Sequence, residues 1–206
     1  MTNAASADAE GSPSIDGGVA LGFGGLRVQP GDHVGHFFER PSEWLEVAEG
    51  FLGEGLQSDD RCMYLIEEGE RRDLLLDRLR SSGWEVDQAM AEGRLQLHPG
   101  LGTPAELEAL LASFTNAAEK EGWSGCFRWG GEMSWSLDGM ADDRALRVWE
   151  EACNADRHDQ VVFLCQYPIR QFRGTAILNA LQTHPLCIIG RVIHRNPYFR
   201  EVPAAG

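Results

Sequence analysis

The sequence predicts an α/β domain with a mainly parallel central sheet and helices on both of its faces. Short stretches such as RCMYLIE at 61–67 and VVFLCQY at 161–167 are mostly apolar, as expected for strands that are covered on both sides. Between such stretches, apolar residues recur every three or four positions, which is the spacing of amphipathic helices. A regular alternation of strands and helices is typical of a parallel sheet between two helical layers.

The first half of the predicted domain opens with a strand at 33–38 and a long helix that starts at Pro41. The apolar residues of this helix lie on one face, namely Trp44, Val47, Ala48, Phe51, Leu52 and Leu56. The elements that follow are a strand at 61–67, a helix around Leu75, a short helix at 87–93 and a weaker strand at 95–98.

The second half opens with a strong helix start at Thr103–Glu106. Here a threonine cap, a proline at the first helical position and a glutamate three residues after the threonine form a capping box. The remaining elements are a strand at 125–130, a helix through Leu146 and Trp149, a strand at 161–167, a helix through Ile177 and Leu181, and a last strand at 186–193.

The length of 206 residues fits one domain with a tail. Residues 1–24 are rich in Ala, Ser, Gly and Asp and contain few large apolar side chains, which predicts a disordered tail. A single domain is therefore expected at 25–202. A flexible C-terminus is expected at 203–206.

The formal net charge of -14 disfavours negatively charged partners. A chain of this charge repels the phosphate backbone of nucleic acids and the surface of anionic membranes, so neither is an expected partner. The sequence does not begin with a signal peptide, and its five cysteines form no CxxC pair and lie mostly in apolar stretches. These features predict a cytoplasmic protein with reduced thiols.

The turn between the first strand and the first helix lacks the parts of a phosphate-binding loop. Such a loop reads GxxxxGK[ST], whereas this chain reads FERPSE at 38–43. The turn has no glycine and no lysine, and Lys120 is the only lysine of the chain. Glu39 and Glu43 also bring negative charge to the start of the helix, where the dipole favours an anion. The chain is therefore not expected to be a P-loop NTPase.

The candidate ligand-binding residues lie at the ends of two predicted strands. Ligands of parallel sheets bind outside the carboxyl ends of the strands. Glu132 and Trp135 follow one strand, and Gln166 and Tyr167 end another, so these four side chains are expected to face one cleft. The predicted ligand-binding set is completed by Phe38 and His184.

These residues also have a structural interpretation. Glu132 suits a helix cap or an ion pair with a nearby arginine, and Trp135 suits the core. Gln166 and Tyr167 suit hydrogen bonds to loop backbone, and His184 suits a turn between a helix and a strand. The residues alone leave both interpretations open.

The sequence predicts no metal site, no cofactor and no catalytic residues. The six histidines form neither HxH nor HxxxH. His33 and His36 are the nearest pair, but residues three apart on one strand point to opposite faces. No GxSxG motif marks a nucleophile.

Five short motifs in order resemble the MEDS domain, a sensory domain of regulators in methanogens and methylotrophs. The motifs, which span roughly residues 28 to 202, are GDHV at 31–34, GEMSW at 131–135, CQY at 165–167, THP at 183–185 and NPY at 196–198. The resemblance implies a RecA-like three-layer sandwich that has lost its phosphate loop. It also implies a role in signal transduction, with hydrocarbon derivatives as ligands. The family often carries a DNA-binding or kinase output domain; none is predicted here, so the signal is expected to pass to a separate partner protein.

Three functions are compatible with the sequence. The first is a sensory domain that binds a small organic molecule and signals to a kinase or transcription regulator. The second is an adaptor that binds another protein without a ligand, for which the net charge of -14 suits a basic partner. The third is a small enzyme with Glu132 as general base. The aromatic and polar residues of the predicted cleft favour the sensory domain.

Overall fold

A seven-stranded sheet forms the centre of the fold. The structure, a computed structural model, describes residues 18–123, 125–155 and 158–201. Its strands are β1 (Val19–Ala20), β2 (Arg27–Val28), β3 (His33–Phe38), β4 (Arg61–Leu65), β5 (Leu95–His98), β6 (Phe127–Glu132), β7 (Val161–Pro168), β8 (Leu186–Ile189) and β9 (Val192–Arg195). The first two strands form a separate antiparallel pair, and the other seven form the central sheet.

Helices pack on both faces of this sheet. They are α1 (Pro41–Gln57), α2 (Glu70–Ser81), α3 (Val86–Ala91), α4 (Pro104–Lys120), α5 (Trp135–Gly139), α6 (Asp143–Ala152) and α7 (Gly174–Thr183). The strand order is β5-β4-β6-β7-β3-β8-β9, and every neighbouring pair is parallel except β8 and β9. The predicted fold class is therefore confirmed. Within the described residues, no helix combines the length and apolar character needed to cross a membrane.

Each face of the sheet has its own hydrophobic core. On one face, α1, α2 and α3 cover the strands and contribute buried residues such as Phe51 and Leu75. On the other face, α4, α6 and α7 contribute residues such as Leu111, Trp149 and Ala180. Most strand residues are apolar because both faces of the sheet are covered.

The folded part begins earlier than the sequence suggested. Residues 1–17 lie outside the described residues, but 18–24 are part of the structure, and β1 lies within the segment expected to be a tail. Leu21 and Phe23 are 1% and 6% exposed and belong to the core on the α1 face. The boundary at residue 24 was misplaced because the few apolar side chains of this segment are interrupted by glycines.

Replacing Leu21 by alanine should lower the free energy of unfolding by about 2 kcal/mol, because the change leaves a cavity in the core. Urea unfolding measures this loss. Leu178→Ala is a matched control, since Leu178 is 59% exposed and its truncation should cost less than about 0.5 kcal/mol. Equal effects of the two changes would contradict the position of Leu21 in the core.

The predicted last strand at 186–193 is in fact a hairpin. β8 runs parallel to β3, and β9 returns antiparallel to β8. Gly190 has a φ of 61° in the turn, a left-handed conformation that glycine adopts without strain from a Cβ atom. The prediction was wrong because the apolar residues continue on both sides of this glycine and conceal the turn.

Candidate functional site

In the turn between β3 and α1, backbone amides donate hydrogen bonds to the Glu43 carboxylate. Only Glu39 and Arg40 separate the two elements. The Glu43 side chain accepts the backbone N–H of Glu39 at 3.0 Å and that of Arg40 at 3.1 Å. These backbone hydrogen bonds, with the Arg40 guanidinium, lower the pKa of Glu43 to about 2. The backbone amides of Glu39 and Arg40, which precede α1, are therefore already bonded and unavailable to an anion.

The ends of β4 and β6 form the topological switch point of the sheet. The two strands are neighbours, but after β4 the chain continues into α2 on one face, and after β6 it continues into α6 on the other. Where connections diverge in this way, a crevice opens at the carboxyl ends of the strands, and ligands bind there in open α/β sheets. Glu132 is the last residue of β6 and lies at this point.

Glu132 is a buried carboxylate held by two polar side chains. It is 2% exposed, and the Ser134 hydroxyl donates a hydrogen bond to its Oε2. Arg71 Nη1, from α2, forms an ion pair with Oε1 at 2.7 Å. Burial raises the pKa of Glu132, although Ser134 and Arg71 act in the opposite direction. The carboxylate therefore sits in a desolvated position where a further hydrogen-bond donor would stabilise its charge.

Trp135 is a buried residue near the same edge whose indole N–H has no hydrogen-bond partner among the described residues. It starts α5 and is 2% exposed. The ring packs against the loop after β5, where a Cβ atom on Gly100 would lie 2.1 Å from ring atoms. This close approach therefore requires a glycine at that position. We call Arg71, Glu132, Ser134 and Trp135 the edge site.

Gln166 belongs to a closed hydrogen-bond network on the α1 face. Its Oε1 accepts the Tyr64 hydroxyl at 2.6 Å, and its Nε2 lies 2.9 Å from His36 Nδ1 and 3.1 Å from the Trp44 carbonyl oxygen. The Trp44 indole in turn donates to Tyr64 at 2.8 Å. Burial lowers the pKa of His36 to about 4, so its Nδ1 can accept a hydrogen bond at neutral pH. The amide of Gln166 thus has protein partners on both of its polar atoms.

Tyr167 and His184 lie on the opposite face, around Glu150 of α6. The Tyr167 hydroxyl donates to Glu150 Oε1. The other oxygen, Oε2, lies 3.0 Å from His33 Nε2 and 3.3 Å from His184 Nε2. Cys165 Sγ lies 3.5 Å from His33 Nε2. We call His33, Glu150, Cys165 and His184 the Glu150 cluster, in which no residue is more than 3% exposed.

The structure thus distributes the six predicted ligand-binding residues over three places. Glu132 and Trp135 both lie at the carboxyl end of β6, Glu132 beside Arg71 of α2 and Trp135 in the core on the α4 face. Gln166 and Phe38 are buried on the α1 face, whereas Tyr167 and the remaining histidine are buried beside Glu150. Gln166 and Tyr167 do not share a cleft, because adjacent residues of a strand point to opposite faces. For the same reason His33 and His36 point apart, as the sequence predicted.

Arg71, Ser134 and Glu150 were missed by the sequence analysis. Nothing in the sequence marks Arg71 or Ser134 as site residues, since an arginine on a helix surface and a serine after a strand are common. Glu150 could have been found, because it follows Leu146 by four residues and therefore lies on the buried stripe of α6 next to Trp149. A carboxylate on the apolar stripe of a helix indicates a buried polar site.

The parallel sheet and the polar site at its carboxyl edge define an α/β domain of the RecA and KaiC type. A KaiC-like protein of Pyrococcus horikoshii OT3 has a TM-score of 0.57 at 14% identity, with 82% of this chain and 78% of that chain covered. The flagellar accessory protein FlaH of Methanocaldococcus jannaschii gives 0.55 at 10% identity, with 85% and 84% covered. An uncharacterised Pyrococcus horikoshii protein, solved with an unknown peptide, gives 0.63 at 12% identity, with 78% of each chain covered. At these identities the similarity shows the fold alone.

The chain belongs to the MEDS family, described as the methanogen/methylotroph, DcmR sensory domain. The family match covers residues 32–185. The transcriptional repressor DcmR of Methylorubrum extorquens strain DM4 is 26% identical over 178 residues, which is 83% of this chain. The chain spans 64% of the length of that repressor. The resemblance found in the sequence is thereby confirmed, and it indicates a sensory or regulatory role.

Proposed function

We propose that this domain senses a small organic molecule at the edge site and passes the signal to a separate protein. Membership of a sensory family supports the sensing role, and the relation to a transcriptional repressor supports a role in regulation. The ligand class is a hydrocarbon derivative with one polar group. The receiving partner is a kinase or a transcription regulator.

The observation that carries this proposal is a buried ion pair at the switch point, between Arg71 and Glu132, together with a buried indole close by in sequence. Among the described residues, Trp135 Nε1 has no hydrogen-bond partner. A buried polar group without a partner costs about 1–3 kcal/mol, so a ligand that supplies partners gains this free energy on binding. The guanidinium and the indole donate and the carboxylate accepts, which suits a hydroxyl, amine or carbonyl group.

The surroundings of the edge site favour a short apolar body on the ligand. Trp135 and Met133, which follow Glu132 closely in sequence, belong to the buried core on the α4 face. Ligand sites of this kind combine apolar walls with a few placed polar groups. The Arg71 side chain is 36% exposed, whereas Glu132 is 2% exposed. Movement of the Arg71 side chain away from Glu132 would therefore expose this carboxylate to solvent and to a ligand. We therefore assign signal transmission to a shift of α2, which carries Arg71.

A ligand-free adaptor is the second candidate function, because the surface carries an apolar groove. The groove has a volume of about 570 Å³ and lies between α7 and the C-terminal segment. Leu178 and Tyr198 line it and are 59% and 67% exposed. Exposed apolar side chains around a groove are typical of protein-binding surfaces. The edge site is not needed for this function, and the following experiment separates the two.

A thermal-shift screen of the full chain tests the proposed sensing function. The panel contains short-chain alcohols, amines, aldehydes and carboxylic acids, with ATP and GTP included. A true ligand at 100 times its Kd should stabilise the fold by about 2.7 kcal/mol, which appears as a clear rise in Tm. The rise should disappear in Arg71→Ala and in Glu132→Gln, because each change removes a polar partner of the ligand.

Arg72→Ala is the matched control for the Arg71 variant. It removes the same charge from the same helix, but Arg72 pairs only with the exposed Glu68, so the ligand response should persist. A response that survives in both edge-site variants would place the ligand elsewhere. A rise in Tm with ATP would contradict the expectation, drawn from the missing phosphate loop, that the chain does not bind nucleotides. No shift across the panel would favour the adaptor.

A further inference from the structure

We propose that the Glu150 cluster binds a divalent transition-metal ion of the Zn²⁺ type. Its side chains come from β3, α6, β7 and the turn between α7 and β8, so one ion would join four separate elements. The four ligand atoms all lie within 4.8 Å of one another. This inference goes beyond the proposed function, since neither the edge site nor an organic ligand enters it.

The spacing of the ligand atoms suits a tetrahedral site. Glu150 Oε2 lies 3.0 Å from His33 Nε2 and 3.3 Å from His184 Nε2. Cys165 Sγ lies 3.5 Å from His33 Nε2. Zinc bonds of about 2.0–2.3 Å with tetrahedral angles place neighbouring ligand atoms about 3.3–3.6 Å apart. Small side-chain adjustments therefore suffice to bring all four atoms to bonding distance of one ion.

The second nitrogen of each imidazole is already held by an acceptor. His184 Nδ1 donates to the Ala180 carbonyl oxygen at 2.6 Å, and His33 Nδ1 lies 3.3 Å from Asn154 Oδ1. The Asn154 amide nitrogen donates to two backbone carbonyls, which fixes Oδ1 as the atom that faces His33. With its proton on Nδ1, each neutral imidazole presents the Nε2 lone pair to Glu150. Metal-binding histidines are oriented in this way by their outer hydrogen bonds.

As a result, three lone pairs converge at the centre of the cluster. Glu150 Oε2 is buried and lies 3.0 Å from His33 Nε2 and 3.3 Å from His184 Nε2, contacts that are ion pairs when an imidazole is protonated and face-to-face acceptors when both are neutral. Tyr167 binds the other carboxylate oxygen, so Oε2 is left facing the two imidazoles. The Cys165 thiol carries the one proton that can point between them, toward His33. Acceptors that face each other in a buried site repel, and a bound cation turns this repulsion into coordination.

The chemistry of the ligand set selects the class of ion. Two neutral imidazoles, a carboxylate and a thiolate carry two negative charges together, which a divalent ion neutralises in a site without solvent. Thiolate and imidazole ligands favour Zn²⁺ and its first-row neighbours, whereas Mg²⁺ and Ca²⁺ prefer oxygen ligands. Binding releases the proton of the Cys165 thiol, because the thiolate is the form that coordinates the metal.

A narrow crevice gives an ion access to the cluster. It lies between α6 and α7, has a volume of about 10 Å³, and is roughly the size of one water molecule. Asp143 and Asn179 line it on the outer side, and Glu150 and Tyr167 line it on the inner side. Of the four residues of the Glu150 cluster, Glu150 is the one that lines this crevice.

Titration of the chelator-treated full chain with Co²⁺ tests the proposal, since Co²⁺ reports ligand geometry by absorption. We expect one Co²⁺ per chain, the intense visible bands of tetrahedral cobalt and a thiolate-to-cobalt charge-transfer band in the near ultraviolet. Cys165→Ser should remove the charge-transfer band. Glu150→Gln should weaken binding by more than about 100-fold, because loss of a ligand exceeds the effect of losing an outer partner.

Two changes elsewhere in the chain serve as controls. Glu132→Gln alters another buried carboxylate, and Cys62→Ser alters another fully buried thiol on the opposite face, so neither should change the cobalt spectrum. Circular dichroism verifies that each variant folds. If Glu150→Gln does not fold, the titration of the wild-type chain still shows whether the protein binds Co²⁺ in a tetrahedral site. Absence of saturable Co²⁺ uptake by the wild-type chain, or the weak spectrum of octahedral cobalt, would overturn the proposal.

Discussion

Replacing Arg128 by alanine should lower the free energy of unfolding by about 3–5 kcal/mol, because it breaks a buried ion pair and leaves its partners unpaired. Arg128 lies on β6 and has no exposed surface. Its Nε donates to Asp60 Oδ2 at 2.7 Å, and its Nη1 donates to the carbonyl oxygens of Ala20 at 2.8 Å and Phe51 at 3.0 Å. The guanidinium also lies over the Phe51 ring, 5.3 Å from its centroid.

Urea unfolding followed by tryptophan fluorescence measures this loss. Because Ala20 lies in β1, we also expect the amides of the β1–β2 pair to exchange with solvent faster in the variant. Arg170→Ala is the control. Arg170 is 76% exposed, and it forms a surface ion pair with Glu39 at 3.5 Å. Loss of such an exposed pair should lower the free energy of unfolding by less than about 0.5 kcal/mol. A loss for Arg128→Ala no greater than that of the control would mean that the buried network does not stabilise the fold.

Replacing Gln166 by leucine should cost about 3 kcal/mol, although the new side chain is apolar and similar in size. The change leaves the Tyr64 hydroxyl, the Trp44 carbonyl and His36 Nδ1 without their amide partner inside the core. Each buried group that loses its partner costs about 1–3 kcal/mol, partly offset when the remaining groups rearrange. Urea unfolding again gives the loss, and an unchanged m-value would show that the denatured state is unaffected.

Gln88→Leu is the matched control, because Gln88 is exposed on α3 and bonds only the exposed Glu92, so little change is expected. The Gln166 variant also distinguishes a structural role from a role in binding. Gln166 was predicted from the sequence to bind the ligand, whereas the structure gives its amide protein partners. If Gln166→Leu kept full stability but lost the ligand response, the residue would act in recognition and the network would be dispensable.

The architecture was predictable because it depends on periodic patterns. Strands such as β4 and β7 are mostly apolar, and the start of α4 carries its predicted cap, in which the Glu106 backbone N–H donates to the Thr103 hydroxyl oxygen at 3.2 Å. Errors arose where the pattern was locally ambiguous. The N-terminal segment has only Leu21 and Phe23 to indicate its burial, and a single glycine conceals the turn between β8 and β9.

The sites were less predictable, because their parts come together only in the folded chain. The carboxyl edge of the sheet and Glu132 could be predicted from strand ends, but the contribution of Arg71 from α2 could not. The Glu150 cluster was harder still, since His33 and His184 lie near opposite ends of the chain and no short motif links them. The strand register and the packing of α6 bring these side chains together, and neither can be derived from spacing along the sequence.

The antiparallel β9 determines how the sheet ends. As the outermost strand it offers backbone groups on one side to any other strand, and such edges promote aggregation when they are long and apolar. β9 is only four residues long, and its exposed residues include His194 and Arg195. Short edge strands that carry charged side chains disfavour pairing with the edge of another sheet. The final hairpin therefore protects the chain against uncontrolled sheet extension.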